Sequence, residues 1–538
     1  MADRPSSPWT PLRQPLYRSL WIAAVASNIG TWLQSVGASW MMTTLSASAT
    51  MVALVQAATS LPMFLLSLPA GALADVLDRR RLLLFTEIWM ALSAAGLGLL
   101  TLAGAAGPWT LLVFTFLLGL GTALTAPAWQ AIVPEIVPRE DLPAAITLQS
   151  IGFNIARAIG PAIGGLLVAA TGPAVTFLLN AASFLGVLLV VYRWKRPAME
   201  SVLPGERILG AMSTGLRYVR HAPEVLAVIA RGSTFVLCAS SLWALLPVVA
   251  STELRQGPAG YGLLLASLGV GAVSGAMVLP RLRRGGEGSM DGIVAVATLV
   301  FAGATVALGS LRSFPLLCLA LVFAGGAWLC LLSSLNVAIQ TVVPSWVRGR
   351  ALSVYMLIFF GGLAGGSALW GAVADHAGTS RALWISAAGM IAGLAATWRI
   401  HLRSGEGLNL APSRQWPAPL ASHDLELDRG PVLVSIRYQI DPEKASEFAA
   451  AMRELRRIRL RDGALQWGLF TVAETPGAYA EVFLVRSWIE HLRQHERVTV
   501  ADEEIRHRAG SFHVGEEPPV VRHLIAEPMI RVRIPGAD

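Results

Sequence analysis

The chain has 538 residues, 54% of them hydrophobic and 14% charged, with a formal charge of +8 and a mean hydropathy of +0.57. A soluble domain carries roughly 25% charged residues, so a wholly soluble globular protein is excluded and most of the chain belongs in lipid. The positive charge does not indicate nucleic acid, because the basic residues fall in short connections between apolar runs, a pattern of membrane topology.

The N-terminal stretch MADRPSSPWTPLRQPLYRS is polar and proline-rich. No small-residue cleavage site follows it closely, so the first apolar run reads as a retained span and not as a signal peptide. A span needs about 20 apolar residues. Runs of that kind fall near residues 18–42, 50–73, 82–104, 109–130, 143–169, 174–193, 224–250, 259–280, 290–310, 315–340, 350–374 and 381–400. Arginine and lysine collect before the first of these and after every second one. The alternate loops hold only Arg255, Arg312 and Arg381. The positive-inside rule therefore places both termini in the cytoplasm. Cys238, Cys318 and Cys330 lie inside apolar runs without metal-ligand spacing, and read as small buried hydrophobes.

The connection after the second run reads GALADVLDRRR at residues 71–81. Its arginines serve topology, but topology needs no acid at Asp75. Within the fifth run, NIARAIGPAIGGLL holds Gly160, Pro161, Gly164 and Gly165. The proline bends a helix, and the glycines offer a flat face to a neighbour. Ionisable groups inside spans are costly and functional by default. Arg157 lies near the middle of span five, to bind an anionic group or pair with an acid. Glu87 lies about one and a half turns into span three, to carry a proton or reach the headgroups. Arg231, near the start of span seven, reads as a snorkelling residue. Asn28, Trp32, Ser35 and Ser39 share one face of span one. Trp243 and Thr234 on span seven and Trp328 and Asn336 on span ten are further candidates for a ligand cavity, with interfacial anchoring as the ordinary role of tryptophan.

The middle connection, 194–223, carries an apolar helical face at Ile208, Leu209, Met212, Leu216 and Val219, as expected for a helix lying on the membrane surface. After residue 403 the composition changes. Residues 403–429 form a linker. Beyond it, strand, helix, hairpin, helix and strand patterns follow in the order βαββαβ. His491, His495, His507 and His513 sit among Arg493, Glu496, Arg506 and Arg508 and read as a solvated helix face, not as metal ligands.

The halves repeat: QAIVPEIVP at 130–138 matches QTVVPSWVR at 340–348. This six-plus-six parallel repeat resembles the major facilitator transporters, whose halves rock around a midplane site. The 71–81 connection resembles their loop signature. The resemblance implies a conformational latch of Gly71, Asp75, Arg79 and Arg80, with Asp75 facing the N-terminus of span eleven; Asp78 stands where the family usually has glycine. Gly160-Pro161-Ala162-Ile163-Gly164-Gly165 resembles the GPxxGG antiporter signature. The family pattern also implies a cavity lined by spans one, four, seven and ten. NIGTWLQSVGASWMMTTL in span one, GALAD, VPEIVP and NIARAIGPAIGG together are similar to the enterobactin-exporter-like branch. That resemblance implies export of a siderophore-like or drug-like compound from a bacterial inner membrane in exchange for protons. The tail is similar to the dimeric, ferredoxin-like folds of antibiotic-biosynthesis monooxygenases.

The expected fold is thus an all-α polytopic membrane protein of twelve transmembrane helices in two six-helix parallel repeats, plus a small α+β ferredoxin-like cytoplasmic domain. The expected parts are an N-terminal bundle (1–193), a connecting loop (194–223), a C-terminal bundle (224–402), the linker (403–429) and a soluble domain (430–538). The expected partners are a small-molecule substrate, protons and the bilayer, with self-association through the tail. No cofactor, metal, nucleic acid or catalytic constellation is expected. The alternative is a transporter fused to a cargo-modifying or regulatory monooxygenase-like domain.

Overall fold

The computed structural model describes residues 9–138, 140–194, 208–283, 289–402, 409–411, 413, 426 and 428–526, with 71–76, 131, 208–212 and 289 described by backbone course alone. The first half is six helices: α1 (Pro15–Leu45), α2 (Ala49–Val76), α3 (Arg79–Leu102), α4 (Pro108–Ile136), α5 (Leu142–Thr171) and α6 (Pro173–Arg193). Proline occupies the first turn of α4, α5 and α6, where its missing N–H has no intrahelical partner to lose. Asp78 starts α3 by accepting a hydrogen bond from the Arg81 backbone N–H at 2.9 Å, a side-chain N-cap that glycine at this position could not provide.

Helix α7 (Ile208–His221) follows the middle connection. Then come α8 (Pro223–Val248), α9 (Pro258–Leu282), α10 (Ser289–Ser310), α11 (Phe314–Val342), α12 (Arg348–Ala377) and α13 (Thr379–Ala396). Gly172 and Gly378, at φ +80° and +91°, close α5 and α12. A side chain there would be strained, and these glycines allow the chain to reverse at once into the next helix. Among the described residues, ten helices are long and apolar enough to cross a membrane: α2 to α6 and α8 to α12. Helix α1 falls outside that set because hydroxyl and amide side chains recur along it. Helix α13 has only 18 residues and includes Arg381.

The tail contains β1 (Val432–Gln439), α14 (Ala445–Asp462), β2 (Gln466–Thr471), β3 (Ala478–Val485), α15 (Trp488–Arg497), α16 (Val500–Gly510) and β4 (Val520–Ile525). The sheet order is β2-β3-β1-β4, with antiparallel neighbours throughout. Alternate residues of β1, from Val432 through Val434 and Ile436 to Tyr438, face the core, as a period of two requires. Phe448, Met452, Leu455 and Ile458 of α14 cover them at helical spacing. The stretch expected as one helix after Trp488 is two. The break comes at Thr499, whose side chain forms a capping box with Asp502 and starts a new helix.

The histidine expectation is corrected here. His491 is 1% exposed, and its ring centroid lies 4.8 Å from that of His495, edge-on, and 4.7 Å from that of His523, tilted. Helix α15 turns this face inward because Trp488, one turn earlier, is buried in the same core. His507, by contrast, is exposed.

By compactness, residues 209–227 and 338–354 group with 403–538 as one unit, and the remaining helical segments form the other. Within the smaller unit, Tyr218 of α7 meets Trp346 edge-on at 5.7 Å. Arg461 lies 5.5 Å from the Tyr218 ring and Arg497 4.8 Å from the Trp346 ring, both within cation–π range.

Candidate functional site

A cavity of about 520 Å³ opens among α1, α3, α4, α5 and α6. One part of its wall is aromatic and apolar: Trp21, Trp129, Phe153, Phe184 and Met90. Another carries amides and hydroxyls: Asn28, Gln130, Gln149, Asn154, Thr122 and Thr125. This mixture suits an amphiphilic small molecule. Several of these groups are held by their own helices. Asn28 Nδ2 donates to the Ala24 carbonyl and Asn154 Nδ2 to the Ser150 carbonyl, both at 2.8 Å. Trp21 Nε1 donates across to Leu148 O at 2.8 Å. The wall is therefore largely pre-formed.

Glu87 reaches this cavity from α3. It is 3% exposed, and its Oε2 has no hydrogen-bond partner among the described residues. The neighbouring hydroxyls are engaged elsewhere: Thr125 donates to Thr86 Oγ1 at 2.8 Å, and Thr86 to the Leu83 carbonyl. No basic side chain lines the cavity among the described residues. Asn28 and Glu87, expected from separate arguments, thus share one wall.

The other candidates lie elsewhere. The expected cavity drew on spans one, four, seven and ten, whereas the described one belongs to helices of the first half. Trp243, Trp328 and Asn336 do not line it. Trp328 is buried in an aromatic group, 5.5 Å from Trp243 and 5.7 Å from Phe301. Arg157 stands 6.0 Å from the Trp243 ring, at the limit of a cation–π contact. Trp32 packs on the glycine face of α5, where a Cβ added at Gly160 would lie 2.7 Å from its own. Arg231 is corrected: it does not snorkel. It is 6% exposed and donates to Asp291 Oδ1 at 2.6 Å.

The α5 motif is a contact surface on two sides. Gly164 approaches Leu33 and Val36 of α1. Gly165 faces α9, where a Cβ would lie 2.6 Å from the Pro258 carbonyl and 2.9 Å from the Gly262 Cα. Gly269 of α9 meets the Arg157 backbone in the same way. The first and second halves therefore meet backbone to backbone along α5 and α9, a separation that only small residues permit.

In the 71–81 connection, the side chain of Asp75 lies outside the described residues, as does Gly71 beyond its backbone course. Arg79 pairs with Glu135, at the end of α4, at 2.6 Å. Arg80 donates to the Val191 and Tyr192 carbonyls, occupying the C-terminal acceptors of α6. Both arginines thus tie helices of the first half together.

Sequence reasoning missed Asp375. At the end of α12, its carboxylate accepts from Ser48 Oγ and the Ala49 N–H at 2.6 Å each, and from the Thr50 N–H at 3.1 Å. It is an N-cap supplied to α2 by another helix. A signal was present: GAVAD at 371–375 repeats GALAD at 71–75.

With this geometry in place, the relatives become informative. The model of the transmembrane secretion effector family matches residues 6–530. The chain belongs to that family. The chain is 28% identical over 381 residues to the multidrug efflux pump Tap of Mycolicibacterium fortuitum, covering 68% of this chain and 90% of Tap. It is 28% identical over 370 residues to the enterobactin exporter EntS of Escherichia coli, covering 66% and 85%. A bacterial homologue of the lysosomal transporter Spinster, inward-facing and occupied, shares the fold, with TM-score 0.59 at 16% identity over 73% of this chain and 98% of that one. The chain is accordingly a transmembrane transporter of the major facilitator type, and its relatives are efflux and siderophore transporters and not enzymes.

Proposed function

We propose that this protein exports a small amphiphilic compound, siderophore-like or drug-like, across a bacterial inner membrane by alternating access, in exchange for protons. The observation that carries this reading is Glu87. A carboxyl with an unpartnered oxygen in an otherwise neutral cavity serves no structural purpose that glutamine would not serve, and it is the type of group that carries a proton. The names of the efflux-pump and exporter relatives support the direction of transport.

The reading takes α1 to α6 and α8 to α13 as twelve spans in two repeats, with both termini cytoplasmic. In that orientation the Asp375 clasp closes the periplasmic side, and residues 71–81 lie on the cytoplasmic side. Gly71, Asp75, Arg79 and Arg80 form a latch that breaks when the cytoplasmic side opens. Gly160, Pro161, Gly164 and Gly165 seal the contact between halves against leak. The tail serves as a regulatory or self-associating module.

Purified protein in liposomes with an imposed pH gradient tests the proposal. Flux of at least one compound from a panel of catecholates, cations and neutral amphiphiles should follow the gradient, with matching proton movement. Absence of gradient-dependent flux for the whole panel counts against it. Asp75→Asn should reduce flux severalfold while leaving membrane insertion unchanged.

A further inference from the structure

The charge of the cavity says more about its cargo than the names of relatives do. Among the described lining residues, Glu87 carries the one carboxyl, and none carries a basic group. Tyr17 of α1 is the other titratable side chain, and its hydroxyl is committed to the Ala145 carbonyl at 2.8 Å. Helices α4 and α5 present amides, hydroxyls and aromatic rings, with the small residues Ala126 and Gly152, and α6 presents Phe184 and Val187. The nearest ion pair on α3, Arg79 with Glu135, begins eight residues earlier, about two turns or 12 Å away.

An ionised carboxylate without a partner in such surroundings bears a large desolvation cost. Two partners relieve it: a proton on the carboxyl, or a cation in the cavity. An anion does the reverse, since it meets no counter-charge and repels the carboxylate. Aromatic faces at Trp21, Trp129 and Phe153 add attraction for a cation, through the ring quadrupole.

We propose that this cavity binds lipophilic monovalent cations, such as protonated amines or quaternary groups, and that cation and proton compete for Glu87. The inference rests on the exporter reading and narrows its cargo. On the cytoplasmic side the O–H bond of Glu87 breaks, the proton leaves to water, and the cation takes its place against the carboxylate. On the outer side the cation leaves and a proton from outside restores the O–H bond. One positive charge moves out for each that moves in, so exchange is electroneutral and is driven by the pH difference alone.

Two probes of matched size and opposite charge test this: tetraphenylphosphonium and tetraphenylborate. Binding to the purified full chain should favour the phosphonium at least tenfold at pH 8. Its affinity should fall tenfold per pH unit on the acid side, with one proton released per cation bound. Glu87→Gln should remove both the preference and the pH dependence, and Glu87→Asp should keep them. Equal binding of the two probes, a preference for the borate, or an unchanged Glu87→Gln variant overturns the inference. The two readings fail separately. Flux of an anionic or neutral compound that survives Glu87→Gln leaves the exporter standing without cation selectivity. Glu87-dependent phosphonium binding without flux of any compound removes the exporter and keeps the site.

Discussion

Two regions of the molecule bury carboxylates, and they treat them in opposite ways. In the tail, Glu481 is fully buried and accepts from Arg459 Nε at 2.9 Å, from Trp467 Nε1 at 3.0 Å and from Tyr438 OH at 3.3 Å. Asp462 and Asp502 share Arg461, at 2.8 and 2.7 Å, and Asp502 also serves the capping box of α16. In the membrane helices, Glu87 is as well buried and has an oxygen without a partner. A buried charge that its own fold satisfies is part of the fold. One that the fold leaves unsatisfied is held for something that comes and goes.

The largest expected effect follows from the satisfied side. Arg459→Ala leaves Glu481 buried without its counter-charge, which costs about 3–5 kcal/mol. Hydrogen exchange on the full chain should show α14 and the sheet losing protection by two to three orders of magnitude. Glu87→Gln removes a charge that had no counter-charge, and it should leave α3 and α4 protected as in the parent. Similar losses of protection in both variants would erase the distinction between the regions.

The helix interface comes next. Gly165→Ala places a methyl 2.6 Å from the Pro258 carbonyl, and overpacking of this kind costs roughly 1–3 kcal/mol. Gly172→Ala, at φ +80° with open space around it, tests backbone strain instead. The expected outcome is that Gly165→Ala slows transport at least tenfold by separating α5 from α9. Gly172→Ala should lower thermal stability by about 1 kcal/mol with little change in rate.

The tail histidines give a smaller and pH-gated effect. Burial, the neighbouring His523 and the Arg459 charge depress His491 from 6.5 to about 4, against a hydrogen bond that its ring donates to Gln494, which raises it. Burial and the same neighbours take His495 to about 3. Both are therefore neutral in the folded tail at neutral pH, while the unfolded chain takes up their protons near pH 6.5. The unfolded state binds more protons below that value, so stability is intact above pH 6.5 and falls as the pH drops toward 4. At pH 6 the loss should reach about 1–2 kcal/mol for the pair, read as a drop in tail Tm. Replacing His491 by glutamine should flatten that dependence.

The sequence made the helices and the tail sheet legible because both rest on local periodicity: apolar runs of span length, and alternation in β1. Asn28 and Glu87 were legible as polar groups in apolar runs, but their shared cavity was not. It depends on how α3 and α4 rotate about their axes, which tertiary packing decides. The inward turn of His491 was hidden for a related reason, since its arginine neighbours look like a solvent face until Trp488 fixes the helix rotation. Arg231 and Asp291 are 60 residues apart, and nothing in local pattern pairs them. The two-residue break between α15 and α16 was readable in principle, because Thr499 and Asp502 have capping-box spacing.

Asp375 offers the finest test of the comparison, because it lies between the two cases: satisfied, but across α12 and α2, which the proposed alternating access would separate. Its carboxylate supplies the N-cap of α2 from the end of α12, a contribution of about 0.5–2 kcal/mol. If this clasp were a fixed part of the fold, Asp375→Ala would lower stability by that amount and leave the conformational equilibrium alone. If the clasp belongs to one of two alternating states, the same energy appears as a shift between them, roughly tenfold for 1.4 kcal/mol. Spin labels placed in the 45–48 turn and beyond Gly378 should then show the longer of two distances gaining population in Asp375→Ala. Asp375→Asn, which keeps one acceptor oxygen and loses the charge, should fall between the variant and the parent. A single unshifted distance in all three proteins would place Asp375 with Glu481, as a satisfied charge with no part in the motion.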